Sequence, residues 1–210
     1  MTAFKPSERL SIEGPAGAIE ALVTEADGGD LAHAVICHPH PLYGGTMDNK
    51  VVTTLARALQ ECGIPTVRFN FRGVGASGGS YDEGRGETLD AAAVADWASS
   101  RWPQTGLIVA GFSFGAYVAT RLAAARPVKH LITVAPPVQR FDFGVVAKPA
   151  CPWLLIQGEA DELVDAQEVM AWADAPKTSL RVVLMPGVGH FFHGHLTDLR
   201  DAVVQEIRSG

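Results

Sequence analysis

Short apolar runs alternate along this chain with segments in which apolar residues recur at helical spacing, and the two patterns predict alternating strands and helices. The runs Ala34–Cys37, Thr66–Phe69, Leu107–Ala110, Leu131–Val134, Trp153–Ile156 and Arg181–Leu184 are short and mostly rich in Val, Ile and Leu. That is the composition of strands in a parallel sheet covered on both faces. Between them, Val52, Leu55, Leu59 and Cys62 recur at helical spacing before Gly63, and Leu89, Ala93 and Trp97 do the same before Arg101. Each patterned face is expected to cover the sheet. A last helix carries Leu196, Leu199, Val203 and Ile207 on one face, with Asp198, Arg200, Gln205 and Glu206 mostly elsewhere. At the start, Glu8–Glu13 and Ala18–Thr24 flank Gly14-Pro15-Ala16-Gly17, a turn sequence that predicts an antiparallel strand pair. The pattern shows no internal repeat, linker or low-complexity segment. It predicts an α/β fold with a mostly parallel sheet and active-site loops at the carboxyl ends of its strands.

Length and composition narrow the picture. A chain of 210 residues, 47% hydrophobic and 19% charged, suits one domain over residues 1–210 that buries roughly 70% of its unfolded surface. The net charge of −6 and the lack of any Lys/Arg stripe argue against a nucleic-acid partner. Met1–Arg9 lacks the apolar core of a signal peptide, which leads to a cytoplasmic expectation. The longest apolar stretch, Gly106–Thr120, is too short to span a membrane and is interrupted by glycines and Ser113. No membrane association is expected. Cys37, Cys62 and Cys151 are odd in number, far apart and set in apolar runs, so they read as reduced core residues rather than as disulfides or zinc ligands.

The most informative chemistry lies in Gly111-Phe112-Ser113-Phe114-Gly115, between the strand-like run Leu107–Ala110 and the helix-like run Ala116–Leu122. A nucleophilic serine on a sharp strand-to-helix turn needs this context, with glycines two positions to either side for steric room. The pentapeptide alone also fits a glycine-rich turn with a helix-capping serine. Two further positions change the balance. Asp161 follows the strand Trp153–Ile156 in the loop Gln157–Val164, and His190 follows the strand Arg181–Leu184 in the loop Met185–Phe192. Seen singly, Asp161 reads equally as a helix cap before Leu163 and Val164, and His190 as an ordinary loop histidine. Together with Ser113 they make the chain order Ser, Asp, His of a catalytic triad. In such a triad His190 takes the serine proton, and Asp161 fixes the imidazole tautomer and stabilises the imidazolium.

These residues carry a resemblance to small, lidless bacterial serine hydrolases of the α/β-hydrolase superfamily, over almost the whole chain. The segment Arg68–Gly79 resembles the superfamily's Asp-x-Arg-Gly-x-Gly-x-Ser loop, with Asn70 in place of the acid. Cys37–Gly45, with His38-Pro39-His40-Pro41, stands where a His-Gly oxyanion loop would be. The resemblance implies an α/β-hydrolase fold, no cofactor and no metal. It implies an oxyanion hole made by the Phe114 N–H and one N–H from the Leu42-Tyr43 turn, Leu42 being favoured. The interval Pro136–Cys151, with only Gln139–Val146 available for a turn or two of helix, is too short for a lid domain. The open pocket is expected near Tyr43, Phe112, Phe114, Phe143 and Phe191.

Remaining polar residues take structural roles in this reading. His38 and His40 shape the oxyanion loop, and no third residue makes them metal ligands. His193 and His195 lie on the surface at the start of the last helix, Asp48 caps a helix, and Asp82 and Glu87 are solvated. Arg72 orders its loop rather than touching substrate. The leading expectation is a cofactor-independent serine hydrolase that cleaves small carboxylic esters through an acyl-enzyme, acting as a monomer or homodimer. A peptidase or thioesterase with the same triad, and a non-catalytic binding protein on the same scaffold, are the alternatives. A dienelactone hydrolase with a cysteine nucleophile is disfavoured, because Ser113 occupies the elbow.

Overall fold

A computed structural model of the chain describes residues 6–27, 31–144, 149–174 and 180–209. The segment Met1–Lys5 of the signal-peptide reading, and Val145 and Val146 of the lid interval, lie outside the described residues.

Among the described residues eight strands form one sheet: β1 Ser7–Gly14, β2 Gly17–Thr24, β3 Ala32–Cys37, β4 Thr66–Phe69, β5 Gly106–Phe112, β6 His130–Val134, β7 Trp153–Gly158 and β8 Leu180–Met185. Their order across the sheet is β1-β2-β4-β3-β5-β6-β7-β8. β1 pairs antiparallel with β2 and β2 antiparallel with β4, and all other pairings are parallel. The antiparallel start is as expected from the Gly14–Gly17 turn, where Gly14 and Gly17 close the register. β1, at the sheet edge, is mostly exposed and carries Glu8, Arg9 and Glu13, charges that discourage pairing with another chain.

Side-chain alternation along β3 shows why its whole run is apolar. Ala34 and Ile36 face one core with Ile108, Ala110, Ile132 and Ile156, beneath helices α1 (Lys50–Glu61) and α5 (Leu196–Ser209). Val35 and Cys37 face the other core with Val67, Phe69, Val109 and Trp153, beneath α2 (Arg85–Arg101) and α3 (Phe114–Ala125). A short helix α4 (Ala166–Asp174) buries Val169 and Ala173 against Leu155. Among the described residues no helix is long and apolar enough to cross a membrane.

α2 corrects the expectation in part: Ala93 and Trp97 pack against the core, but Leu89 does not. Leu89 is 57% exposed, while Ala91, Val94, Ala95 and Ala98 are buried together with Glu87 and Asp90. The fully buried side is mostly alanine, and its two acids turn inward to satisfy loop donors. Glu87, expected in solvent, is fully buried and accepts the N–H groups of Asp82 (2.8 Å) and Gly84 (2.7 Å). Asp48 is likewise not the cap of α1: Asn49 is, its Oδ1 accepting the Val51 N–H at 2.9 Å. Asp48 pairs with Arg68 instead (3.1 Å).

The chain passes from β3 to β4 on one side of β3 and returns to β5 on the other. This reversal opens a crevice at the carboxyl ends of β3 and β5, the place where open α/β sheets hold their ligands.

Candidate active site

Ser113 stands between the end of β5 and the start of α3, with φ 54° and ψ −119°. For a residue with a Cβ this conformation costs about 1–3 kcal/mol and persists only where surroundings enforce it. Here the Ser113 N–H is held by the Val134 carbonyl and its own carbonyl by the Ala116 N–H, both at 2.8 Å. The flanking glycines are steric necessities. A Cβ on Gly115 would come within 2.6 Å of the His38 carbonyl oxygen, and one on Gly111 within 2.7 Å of the Ala116 nitrogen.

Asp161 lies three residues past β7, its side chain fully buried. His190 Nδ1 is 2.8 Å from its Oδ2, and Gln157 Nε2 donates to the same oxygen at 3.1 Å. Oδ1 accepts the N–H groups of Leu163 (2.9 Å) and Val164 (2.8 Å). One carboxylate thus serves as loop cap and as histidine partner at once. Burial works to raise its pKa, but the bond and charge of His190 with the two backbone donors outweigh burial, so the carboxyl sits below its ordinary value.

The loop after β8 brings His190 across the end of β7 because Gly158 leaves room for it: a Cβ there would press on the backbone of Val188. Glu162 Oε2 accepts the His190 N–H at 3.1 Å. His190 is 3% exposed, with the Phe112 and Phe191 rings each 5.1 Å from its imidazole. Since Nδ1 faces the Asp161 carboxylate, Nε2 is the nitrogen left for other chemistry. His190 and Ser113 share the lining of one cavity of about 440 Å³, rather than a direct hydrogen bond.

The β3 loop completes the cavity wall. His38 is fully buried; its Nδ1 is 2.6 Å from the Pro39 carbonyl and its Nε2 accepts the Phe71 N–H at 3.0 Å. An acceptor at Nε2 requires the neutral ring with the proton on Nδ1. Burial pushes its pKa down to about 4, against the opposing pull of the Pro39 carbonyl. Asn70 explains its own departure from an acid: Oδ1 accepts the Met47 N–H (2.9 Å) and Nδ2 donates to Glu20 Oε2 (2.7 Å). The position needs an acceptor on one side and a donor on the other, which an amide supplies and a carboxylate does not.

Within that loop the Leu42 N–H donates to His40 Nδ1 (3.2 Å) and the Tyr43 N–H to the His40 carbonyl (3.1 Å). Both candidates for the second oxyanion donor are therefore engaged in the turn Pro41–Tyr43. The His40 N–H has no acceptor among the described residues, and Pro39 and Pro41 on either side have no N–H to offer. A sequence reading could have used this signal, since proline alternation leaves only one donor. Gln157 and Glu162, which hold Asp161 and the His190 backbone, carried no recognisable pattern.

The pocket residues separate. Tyr43, Phe114 and Phe191 line the cavity. Phe112 is fully buried behind the His190 ring, and Phe143 is 5% exposed, packed between Tyr117 and Trp172. Both belong to the core rather than the pocket, because β5 and the aromatic cluster over α3 claim them. Arg72 is a loop fastener: Nε and Nη2 reach Asp90 at 2.9 and 2.8 Å, and its N–H reaches the same carboxylate at 3.0 Å. His193 stacks on Phe191, and His195 pairs with Asp198. Among the described residues no group of three or more His, Cys, Asp or Glu is arranged to hold a metal ion.

The model of an alpha/beta hydrolase domain family matches residues 33–196, a span that holds Ser113, Asp161 and His190. The chain belongs to this alpha/beta hydrolase family. The hydrolase is 47% identical to a solved alpha-beta serine hydrolase homologue from Coxiella burnetii, at TM-score 0.91 and 98% coverage of both chains. It is also 47% identical, at TM-score 0.91, to XC6422 from Xanthomonas campestris, described as a serine hydrolase without lid, covering 97% of this chain and 94% of that one. An uncharacterized protein of Rickettsia prowazekii is 40% identical over 167 residues, 77% of this hydrolase and 70% of that protein. Among the described residues this hydrolase fold, like the Xanthomonas structure, has no lid domain.

Proposed function

We propose that this hydrolase cleaves small carboxylic esters through an acyl-enzyme on Ser113. The observation that carries the reading is the strained Ser113 backbone at the mouth of a cavity shared with His190, whose Nδ1 is held by the buried Asp161. His190 Nε2 takes the Ser113 proton as Oγ attacks the ester carbonyl, then returns it to the departing alkoxide. Water attacks the acyl-enzyme by the same route, and the serine is released. Asp161 keeps the imidazole in the Nδ1–H tautomer and stabilises the imidazolium.

Negative charge on the former carbonyl oxygen is met by the N–H of Phe114, at the positive end of α3, and by the N–H of His40. Each such donor is worth about 3–4 kcal/mol in the transition state. His38 acts by positioning: it ties the backbone of the His40 loop to Phe71. The aromatic walls from Tyr43, Phe114, Phe141 and Phe191 suit a compact acyl or aryl group.

A fluorophosphonate, which reacts only with activated serines, tests the reading. The expected result is one adduct, mapped to Ser113 and absent from Ser113→Ala. Folded protein that gives no adduct, or an adduct elsewhere, would overturn it.

A further inference from the structure

The cavity is edged by a positive charge. Among the described residues Arg140, itself exposed, is the one lining residue with a permanent charge, and no Asp or Glu lines the cavity, in a chain whose net charge is −6. Most other arginines are held by carboxylates, as Arg68, Arg72, Arg101, Arg126, Arg181 and Arg200 are. The Arg140 guanidinium, by contrast, has no hydrogen bond or ion pair with any described residue, while its backbone N–H is fixed to the Pro137 carbonyl at 3.0 Å. It is near enough to His40 that, after burial, its charge is the second cause lowering the His40 pKa.

A second donor faces the same cavity. Asn49 Oδ1 is used in capping α1, accepting the Val51 N–H at 2.9 Å, and this orients the amide. Its Nδ2, with two hydrogens, is left without a partner among the described residues, and Asn49 lines the cavity with Arg140. Around these donors the wall is aromatic and apolar.

Resting on the hydrolase reading above, we propose that Arg140 and Asn49 form a carboxylate-recognising subsite, so that the substrate is an ester carrying a free carboxylate. One guanidinium and one amide match a single negative charge. A dianionic phosphate would leave charge uncompensated against the aromatic wall. The carboxylate can sit on the acyl half, as in a half-ester of a dicarboxylic acid, or on the alcohol half, as in an ester of a hydroxy acid.

The test compares kcat/KM for matched pairs in wild type, Arg140→Gln and Arg140→Lys. For the acyl half the pair is p-nitrophenyl monoadipate and its neutral methyl ester. For the alcohol half it is 4-carboxyphenyl butyrate and its methyl ester. In at least one pair the wild type is expected to prefer the acid by about fivefold, less at high salt, as suits a charge-assisted contact at a partly open site. Arg140→Gln should bring that ratio to about one and Arg140→Lys should restore part of it. A ratio unchanged by Arg140→Gln in both pairs, or a wild type that prefers neither acid, overturns the subsite alone. If folded wild type turns over none of the four esters, the hydrolase reading falls, and the subsite with it.

Discussion

Lowering the pH should unfold this protein partly through one buried imidazole, and His38→Gln isolates it. His38 is fully buried, accepts the Phe71 N–H at Nε2 and faces the Pro39 carbonyl with Nδ1. Protonation would set an N–H against the Phe71 N–H and place a charge in a dry site. This is why its folded pKa falls to about 4, against about 6.5 in an unfolded chain. Between those values the unfolded state binds a proton that the folded state refuses. The stability His38 contributes is therefore present above about pH 6.5 and is lost as pH falls toward 4. At about 1.4 kcal/mol per pH unit, the full window is worth roughly 3 kcal/mol, of which about 2 falls between pH 7 and 4.5. Urea unfolding followed by tryptophan fluorescence at those two pH values gives the free energies. His33, His40 and His130 also sit below their ordinary values, chiefly through burial, but they are common to both proteins and cancel in the comparison. Wild type should lose about 2 kcal/mol more than His38→Gln on acidification. Equal losses would refute the neutral, loop-fastening role of His38.

Three shorter predictions accompany it. Asn70→Asp sets a carboxylate against Glu20 Oε2 and should cost about 1–3 kcal/mol at neutral pH, partly regained near pH 4 as one acid protonates; denaturant midpoints at the two pH values check this, and an unchanged midpoint would contradict the donor-acceptor bridge. Asp161→Asn should lower kcat by about 10⁴-fold on p-nitrophenyl butyrate. It also removes the stability tied to a carboxyl held below its ordinary value, a contribution present above the unfolded pKa and lost as pH falls through the folded one; kinetics and acid titration read the two effects separately, and near-normal kcat would place the acid elsewhere. Among p-nitrophenyl esters, kcat/KM should peak at short acyl chains and show no jump at the solubility limit. A cavity of about 440 Å³ leaves the far methylenes of palmitate in water, each forgoing about 0.8 kcal/mol, so a maximum at palmitate would contradict the lidless geometry.

Features that depend on short-range pattern were legible in the chain. The β-rich runs became β3 to β8, the Gly14–Gly17 turn gave the hairpin, and the order of Ser113, Asp161 and His190 placed three loops at one end of the sheet. What was not legible depends on how elements approach each other. Trp97 does pack against the core beneath α2, but Leu89 faces solvent and the fully buried positions are mostly alanines; the inward Glu87 caps its own helix start, while Asp90 fastens the Arg72 loop 18 residues away. Phe112 and Phe143 look like pocket residues by proximity to the elbow, yet strand alternation and the cluster around Tyr117 bury them. The engagement of the Leu42 and Tyr43 N–H groups by His40 was not legible, because it exists only in the folded turn.

The central claim is an acyl-enzyme on Ser113, formed with His190 as base. Rapid mixing with p-nitrophenyl butyrate, acid quenching and intact-mass analysis with peptide mapping observe that species directly. The account predicts a mass gain of one butyryl group on the Ser113 peptide in wild type, absent in Ser113→Ala and formed far more slowly in His190→Ala. Turnover with no acyl adduct on Ser113, or an adduct that forms as fast without His190, would contradict it.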